Sequence, residues 1–364
     1  MSRGPIFIVG AMGAGTTLLR LVLDSHPNIA VPQETGFMRA YNAHIQIPFK
    51  WSGRNWATRM GWSPEELDRE LAAFYERIFM RYVKEQGKQR WGEKCPLHTW
   101  HIDNMGRLYP DAVFVGVVRH PGACSASIMS RFGHSLSNAA SHYERYHKEV
   151  ARQAARHRDR FVVLRYEQLV MQPEVALREL LGWLGEPWSE LVLAHNDVQA
   201  ARGGKQVVEG RTRVTDPIDA SRIDKWTRAL GRNAQRELKL RLSRLGEFYG
   251  YAWDDPACFE PLHPGSLLAG GTDIAERIER YPELDIETPL PPSRYERLYH
   301  PRELQLADAR VRGAKAADAQ WSSTLRRAAM PVVRRLPSGA RRRLSTAARA
   351  LEAARRDGAP GRPG

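Results

Sequence analysis

The sequence predicts an α/β fold of three layers, a central parallel sheet between helices, continued by a C-terminal extension and a basic tail. Three observations carry this expectation. Apolar runs without polar alternation, such as Val113 to Val118, mark strands buried on both faces. Helical patterns separate these runs, and strands alternating with helices argue for parallel pairing. A glycine-rich turn, "GAMGAG", joins the first apolar run to the first helical one.

In chain order, Pro5 to Gly10 is a short apolar run, and "TTLLRLVLDSH" follows with Leu18, Leu19, Val22 and Leu23 at helical spacing. "NIAVP" is a second short strand. "SPEELDRELAAFYERIFMRYVKEQG" is a helix with a capping box, Ser63 as N-cap, Pro64 first and Glu66 third, and it stops at Gly87. A further helix covers His98 to Leu108, before the strand at Val113. "RFVVLRY" is another buried strand, and "PEVALRELLGWLG" a helix from Pro173 to Gly185. After Trp253 the stretches "DDPACFEPLHPGSLLAGG" and "ETPLPPSRYERLYHP" are rich in Pro and Gly and predict an extended wrap. Domain limits follow at residues 1–254, 255–309 and 310–364, the last expected to be helical in part and disordered in part.

Composition narrows the function classes. Of the 364 residues, 42% are hydrophobic, an ordinary globular proportion. No run approaches the roughly 18 apolar residues of a membrane span, and Ile6 to Gly10 is too short for a signal-peptide core, so a soluble, cytoplasmic protein is expected. Cys95, Cys124 and Cys258 form neither a disulfide framework nor a zinc pattern, and reduced thiols are the plain reading. The net charge of +14 is uneven. From Arg310 to Gly364 there are fourteen Lys and Arg against three Asp and Glu, which leaves about +3 for the rest. The tail therefore suits an anionic membrane or polyanion, with no specific nucleic acid expected.

The glycine turn holds the first candidate site. A triphosphate-binding loop reads G-x-x-x-x-G-K-[ST]; here Gly10 and Gly15 have that spacing, but Thr16 replaces the lysine and Thr17 follows. Backbone N–H groups at a helix start cradle an anion of any identity. Without the lysine, and without a separate strand ending in a magnesium-binding Asp, ATP hydrolysis is a weak reading. A sulfuryl donor used without metal fits better. A second anion site follows the buried strand in "VVRHPGACSASIMSRF". Arg119 stands at the strand's carboxyl end, where open α/β sheets bind ligands. Ser127 and Arg131 are four apart on one helix face and complete a fork for a second phosphate, although singly each reads as an ordinary helix residue.

The blocks "PIFIVGAMGAGTTLLRLVLDSHPNIAVPQET", "GEKCP", "VFVGVVRHPGACSASIMSR", "LRYEQLVMQPEVALRELLGWLGEPW" and "IDKWTRAL", in this order, resemble sulfotransferases that use 3′-phosphoadenosine 5′-phosphosulfate (PAPS). The pattern is similar to the bacterial-type tyrosylprotein and carbohydrate enzymes and covers Pro5 to Trp253. The resemblance implies a P-loop-like fold and sulfuryl transfer, without metal, to a hydroxyl of a glycan, lipid, tyrosine or small metabolite. It further implies that Gly13, Ala14, Gly15, Thr16 and Thr17 hold the 5′-phosphosulfate. Arg119, Ser127 and Arg131 would hold the 3′-phosphate, with Tyr166 and Lys225 beside the nucleotide. Glu34 in "PQET" would be the general base and Lys94 in "GEKCP" the catalytic lysine.

The match has departures. The family's R-S-G-T-T has Gly13 and Ala14 in its basic and serine positions, so Lys94 or Lys225 is expected to supply charge. Thr212 is the candidate for the serine that precedes the lysine–tryptophan pair. Plain readings compete: Glu34 as a first-turn carboxylate and Lys94 as a surface lysine. His26 is expected to cap carbonyls at a helix end, and His120 to serve turn structure. Five of ten tryptophans, Trp51, Trp56, Trp62, Trp91 and Trp100, read as either core or an acceptor wall. "ARGGKQVVEGRTR" reads as a mobile cover or a plain loop. Two other classes remain open: an ATP-dependent kinase, and a catalytically weak nucleotide-binding protein that docks through its tail.

Overall fold

The structure is a computed structural model and describes residues 4–46, 60–202 and 216–289. The strands are β1 (Ile6–Gly10), β2 (Ile29–Ala30), β3 (Arg90–Lys94), β4 (Val113–Val118), β5 (Phe161–Arg165) and β6 (Leu268–Gly270). They form one sheet of order β2-β3-β1-β4-β5-β6. All pairings are parallel except β5 with β6, which is antiparallel.

Strand alternation sorts the side chains onto two faces. Phe7, Val9, Phe114, Phe161 and Val163 enter one core, beneath α2 (Phe37–Gln46), α3 (Pro64–Glu85), α4 (Ile102–Leu108), α5 (Pro121–Phe132) and α6 (Leu136–Arg156). Ile6, Ile8, Val115, Val117, Val162 and Leu164 enter the other, against α1 (Thr16–Asp24), α7 (Tyr166–Met171) and α8 (Pro173–Leu184). The three layers expected from the apolar runs are present. Helix α3 starts as its sequence predicts: Ser63 Oγ accepts from the Glu66 N–H at 3.1 Å, and the Ser63 N–H donates to the Glu66 carboxylate at 2.7 Å.

Several elements differ from expectation. The helix expected over His98 to Leu108 is a 3-10 turn, Pro96–His101, running into α4. Strand β3 reads poorly as a strand because it carries Arg90, Glu93 and Lys94, yet all five of its residues are buried. The stretch after Trp253, expected as an extended wrap, follows α9 (Arg232–Phe248) and contains β6 and α10 (Gly271–Arg280). Strand β6 completes the sheet, and Ile274 of α10 enters the first core. Cys95 and Cys124 are buried free thiols and Cys258 an exposed one. Trp51, Trp56, Thr212, most of the expected cover loop and the tail lie outside the described residues. Among the described residues no helix is long and apolar enough to cross a membrane.

Candidate active site

The carboxyl ends of β1, β3, β4 and β5 meet at the glycine turn. Gly10, Gly13 and Gly15 all take positive φ, at 138°, 86° and 101°. At Gly15 the requirement is steric as well, since an added Cβ would stand 2.3 Å from Cδ2 of Tyr166. The turn leads into the first N–H groups of α1, a nine-residue helix, which suits it to an anion. Ala14 is fully buried and contributes backbone only.

Arg119 leaves the end of β4 and donates to the Gly13 carbonyl at 3.0 Å, with its guanidinium 4.2 Å from the Tyr166 ring centre. That stack ties the ends of β4 and β5 to the glycine turn. Burial is the main cause raising the Tyr166 pKa, so its hydroxyl stays neutral. The turn after Arg119 is braced from below: Glu167, wholly buried, accepts from the His120 N–H at 3.0 Å and from the Tyr251 hydroxyl at 2.7 Å. His120 accepts from the Gly122 N–H at 3.2 Å, so it caps α5, the helix that carries Ser127 and Arg131. Its ring stacks on Trp226, and burial pushes its pKa down to about 4. His120 is thus the structural residue its sequence context predicts.

His26 behaves differently from expectation. It accepts from the Asn28 N–H at Nδ1 (3.1 Å), which leaves Nε2 to donate to the Pro187 carbonyl at 2.8 Å. It therefore joins the end of α1 to a distant loop rather than capping its own helix.

At the far side of the turn, Lys94 has no exposed side-chain surface, pairs with the Glu34 carboxylate and lies 3.2 Å from the Thr17 hydroxyl. The surface-lysine reading fails here, because the end of β3 carries Lys94 under the segment that holds Glu34. The Glu34 side chain is 43% exposed, so it is open to an incoming group while its charge is balanced from behind. Beside this pair, Glu93 accepts from both the N–H and the hydroxyl of Thr35 at 2.9 Å.

These groups face one cavity of about 790 Å³. Gly13, Gly15, Thr16, Thr17, Glu34, Arg119, Ser127, Arg131, Tyr166 and Lys225 line it; Ala14 and Lys94 stand directly behind its wall. Lys225 is 61% exposed and 4.0 Å from Asp219. Arg119 reaches the Gly13 carbonyl and Lys94 the Thr17 hydroxyl, so β4 and β3 each bring a cation to the glycine turn. Arg222 also lines the cavity and pairs with Asp216 at 3.0 Å and Asp219 at 3.2 Å. Sequence reasoning missed it, although it lies three residues before Lys225 and immediately ahead of the block "IDKWTRAL". Trp91 and Trp100 are core, whereas Trp62 is 42% exposed. Among the described residues no cluster of side chains suits a metal ion.

A family model described as "Sulfotransferase family" matches residues 5–190, about half of the chain. The chain belongs to the sulfotransferase family. Among its relatives, Protein-tyrosine sulfotransferase 1 of Danio rerio is 28% identical over 295 residues, covering 76% of this chain and 79% of that protein. The Protein-tyrosine sulfotransferase of Drosophila melanogaster is 28% identical over 248 residues, covering 64% of this chain and 49% of that protein. Among solved structures, the sulfotransferase domain of the Synechococcus PCC 7002 olefin synthase matches with a TM-score of 0.46 and 21% identity, over 68% of this chain and 94% of that one.

Proposed function

We propose that this sulfotransferase-family chain moves the sulfuryl group of PAPS to an acceptor hydroxyl without a metal, with Glu34 as general base. The acceptor oxygen forms a bond to sulfur as the bond from sulfur to the 5′-phosphate oxygen breaks. The acceptor proton passes to Glu34, and 3′,5′-adenosine bisphosphate leaves. The observation that carries this reading is the position of Lys94, between the Thr17 hydroxyl of the anion-cradling turn and the Glu34 carboxylate. One buried ammonium thus faces both the charge that builds on the leaving oxygen and the group that takes the proton. Preorganised charge of this kind acts without reorganisation during the reaction.

The donor end has the matching chemistry. Backbone N–H groups and threonine hydroxyls suit the 5′-phosphosulfate, while Arg119, Ser127 and Arg131 suit the 3′-phosphate. The named activity of the relatives makes a tyrosine peptide the first acceptor to test. The tail, Arg310 to Gly364, suits contact with an anionic surface through its net positive charge.

Calorimetry with 3′,5′-adenosine bisphosphate tests the reading. Binding is expected to be the same with and without EDTA, and Glu34→Gln is expected to keep it while turnover falls by about 10²- to 10⁴-fold. Absence of binding by the folded protein overturns the reading, and a preference for magnesium ATP replaces it with the kinase.

A further inference from the structure

The carboxyl end of β3 presents two consecutive charged side chains, and each grips one of two consecutive residues of the segment that leads into α2. Lys94 pairs with Glu34. Glu93 receives two hydrogen bonds from Thr35, from its N–H and its hydroxyl, both at 2.9 Å. The second Glu93 oxygen lies 2.9 Å from Nδ1 of His98, on the 3-10 turn after β3. Glu93 and His98 are buried, at 0% and 1% exposure. The Phe7 backbone pairs in register with Glu93, so the carboxylate rises from a backbone held by its pairing to β1.

A buried charged group is costly unless it is paired and hydrogen-bonded. Here the pairing has a specific geometry. Burial pushes the Glu93 pKa up, but the adjacent His98 ring and the two Thr35 donors outweigh it and bring the net value below the ordinary one. Glu93 is therefore a carboxylate that accepts only, and it anchors the backbone N–H of the residue next to Glu34. Gly36 follows with φ of 60°, and the Phe37 N–H that opens α2 donates to the Thr35 hydroxyl at 3.3 Å. Without that anchor, the turn carrying Glu34 would lose both hydrogen bonds that hold Thr35, and Glu34 is the more exposed member of its pair with Lys94.

We propose that Glu93 is a positioning residue for sulfuryl transfer: through Thr35 it sets the backbone from which Glu34 reaches the acceptor hydroxyl. This rests on the assignment of Glu34 as the base. Among the described residues the hydrogen bonds of Glu93 go to Thr35 and not to the glycine turn or Arg119, so its effect falls on the transfer step and not on nucleotide affinity.

The test compares Glu93→Gln in two backgrounds, the natural chain and Glu34→Gln. The readouts are transfer of labelled sulfate from PAPS to a tyrosine-containing acidic peptide, its release to water, calorimetric affinity for the bisphosphate, and thermal melting. In the natural background, Glu93→Gln is expected to lower kcat at least tenfold, with bisphosphate affinity within threefold of the unaltered protein. In the Glu34→Gln background the same change is expected to cost less than twofold, because there is no base left to position. Thr35→Val removes the hydroxyl from the other end of the contact and is expected to follow the same pattern; it carries the test should Glu93→Gln fail to fold. Equal losses in both backgrounds would show a general structural role and overturn the proposal, as would unaltered turnover in the natural background. A Glu34→Gln protein that turns over at the natural rate would instead overturn the base assignment itself.

Discussion

At the end of the cleft proposed for the donor, backbone makes the site: three glycines at positive φ, the first amides of α1, and a carbonyl to which Arg119 is tied. At the end proposed for the acceptor, side-chain charges make it, with Lys94 under Glu34 and Glu93 under Thr35. The difference teaches where each end tolerates change. A backbone cradle keeps its N–H groups whichever side chains stand on it, so Gly13 and Ala14 leave those donors in place where the family pattern has a basic residue and a serine. A charge-built site has no such latitude, because removing one partner strands the other in a poorly solvated place.

The largest expected effect is at the charge-built end. Lys94→Ala is expected to reduce turnover by about 10²- to 10³-fold, while bisphosphate affinity measured by calorimetry changes little. A comparable loss in affinity would mean that the lysine belongs to the donor cradle and would erase the contrast. Next comes Gly15→Ala, which puts a Cβ 2.3 Å from the Tyr166 ring at φ of 101°. Bisphosphate affinity is expected to fall by roughly tenfold or more, since strain in this backbone region costs on the order of 1–3 kcal/mol. Natural affinity in this variant would show that the turn is not shaped by its glycines.

The smallest effect concerns the brace beneath the donor end. Burial holds His120 at a pKa of about 4 and His142 and His147 at about 3. Unfolded histidines titrate near 6.5, so the unfolded chain takes up more protons as the pH falls through that value. The stability from keeping these rings neutral is complete above pH 6.5 and declines toward pH 4. The melting temperature is expected to be a few degrees lower at pH 5.5 than at pH 7.5; a rise on acidification would contradict the neutral, buried state of these rings.

Much of this architecture was legible in the sequence because the signals were local. Phe114 to Val118 and Phe161 to Leu164 are apolar enough to announce buried strands, and the glycine spacing announces a turn. Strand β3 was not legible. Its Arg90 is satisfied by the Gly4 carbonyl at 2.7 Å and Glu186 at 3.1 Å, far away in the chain, and its Glu93 and Lys94 by residues some 60 positions earlier. Nothing in a window around "RWGEK" reveals those partners. The same reason hid Glu93 while a motif match found its neighbour Lys94. Strand β6 is three residues long and lies amid prolines and glycines, too short for a periodicity. The roles of Glu34 and Lys94 came from resemblance; their pairing came from the fold.

The antiparallel pairing of β6 with β5, which sets Leu268 opposite Leu164 and Gly270 opposite Val162, bears on how the protein is shortened in the laboratory. A truncation aimed at the arginine-rich end must stop beyond Arg280. Cutting at residue 254 would remove the outermost ribbon and leave one edge of β5, at Val162 to Leu164, unpaired. Such an open flank recruits other chains by strand addition. The shortened protein would then precipitate, and its inactivity would be blamed on missing charge when the cause was a missing seam.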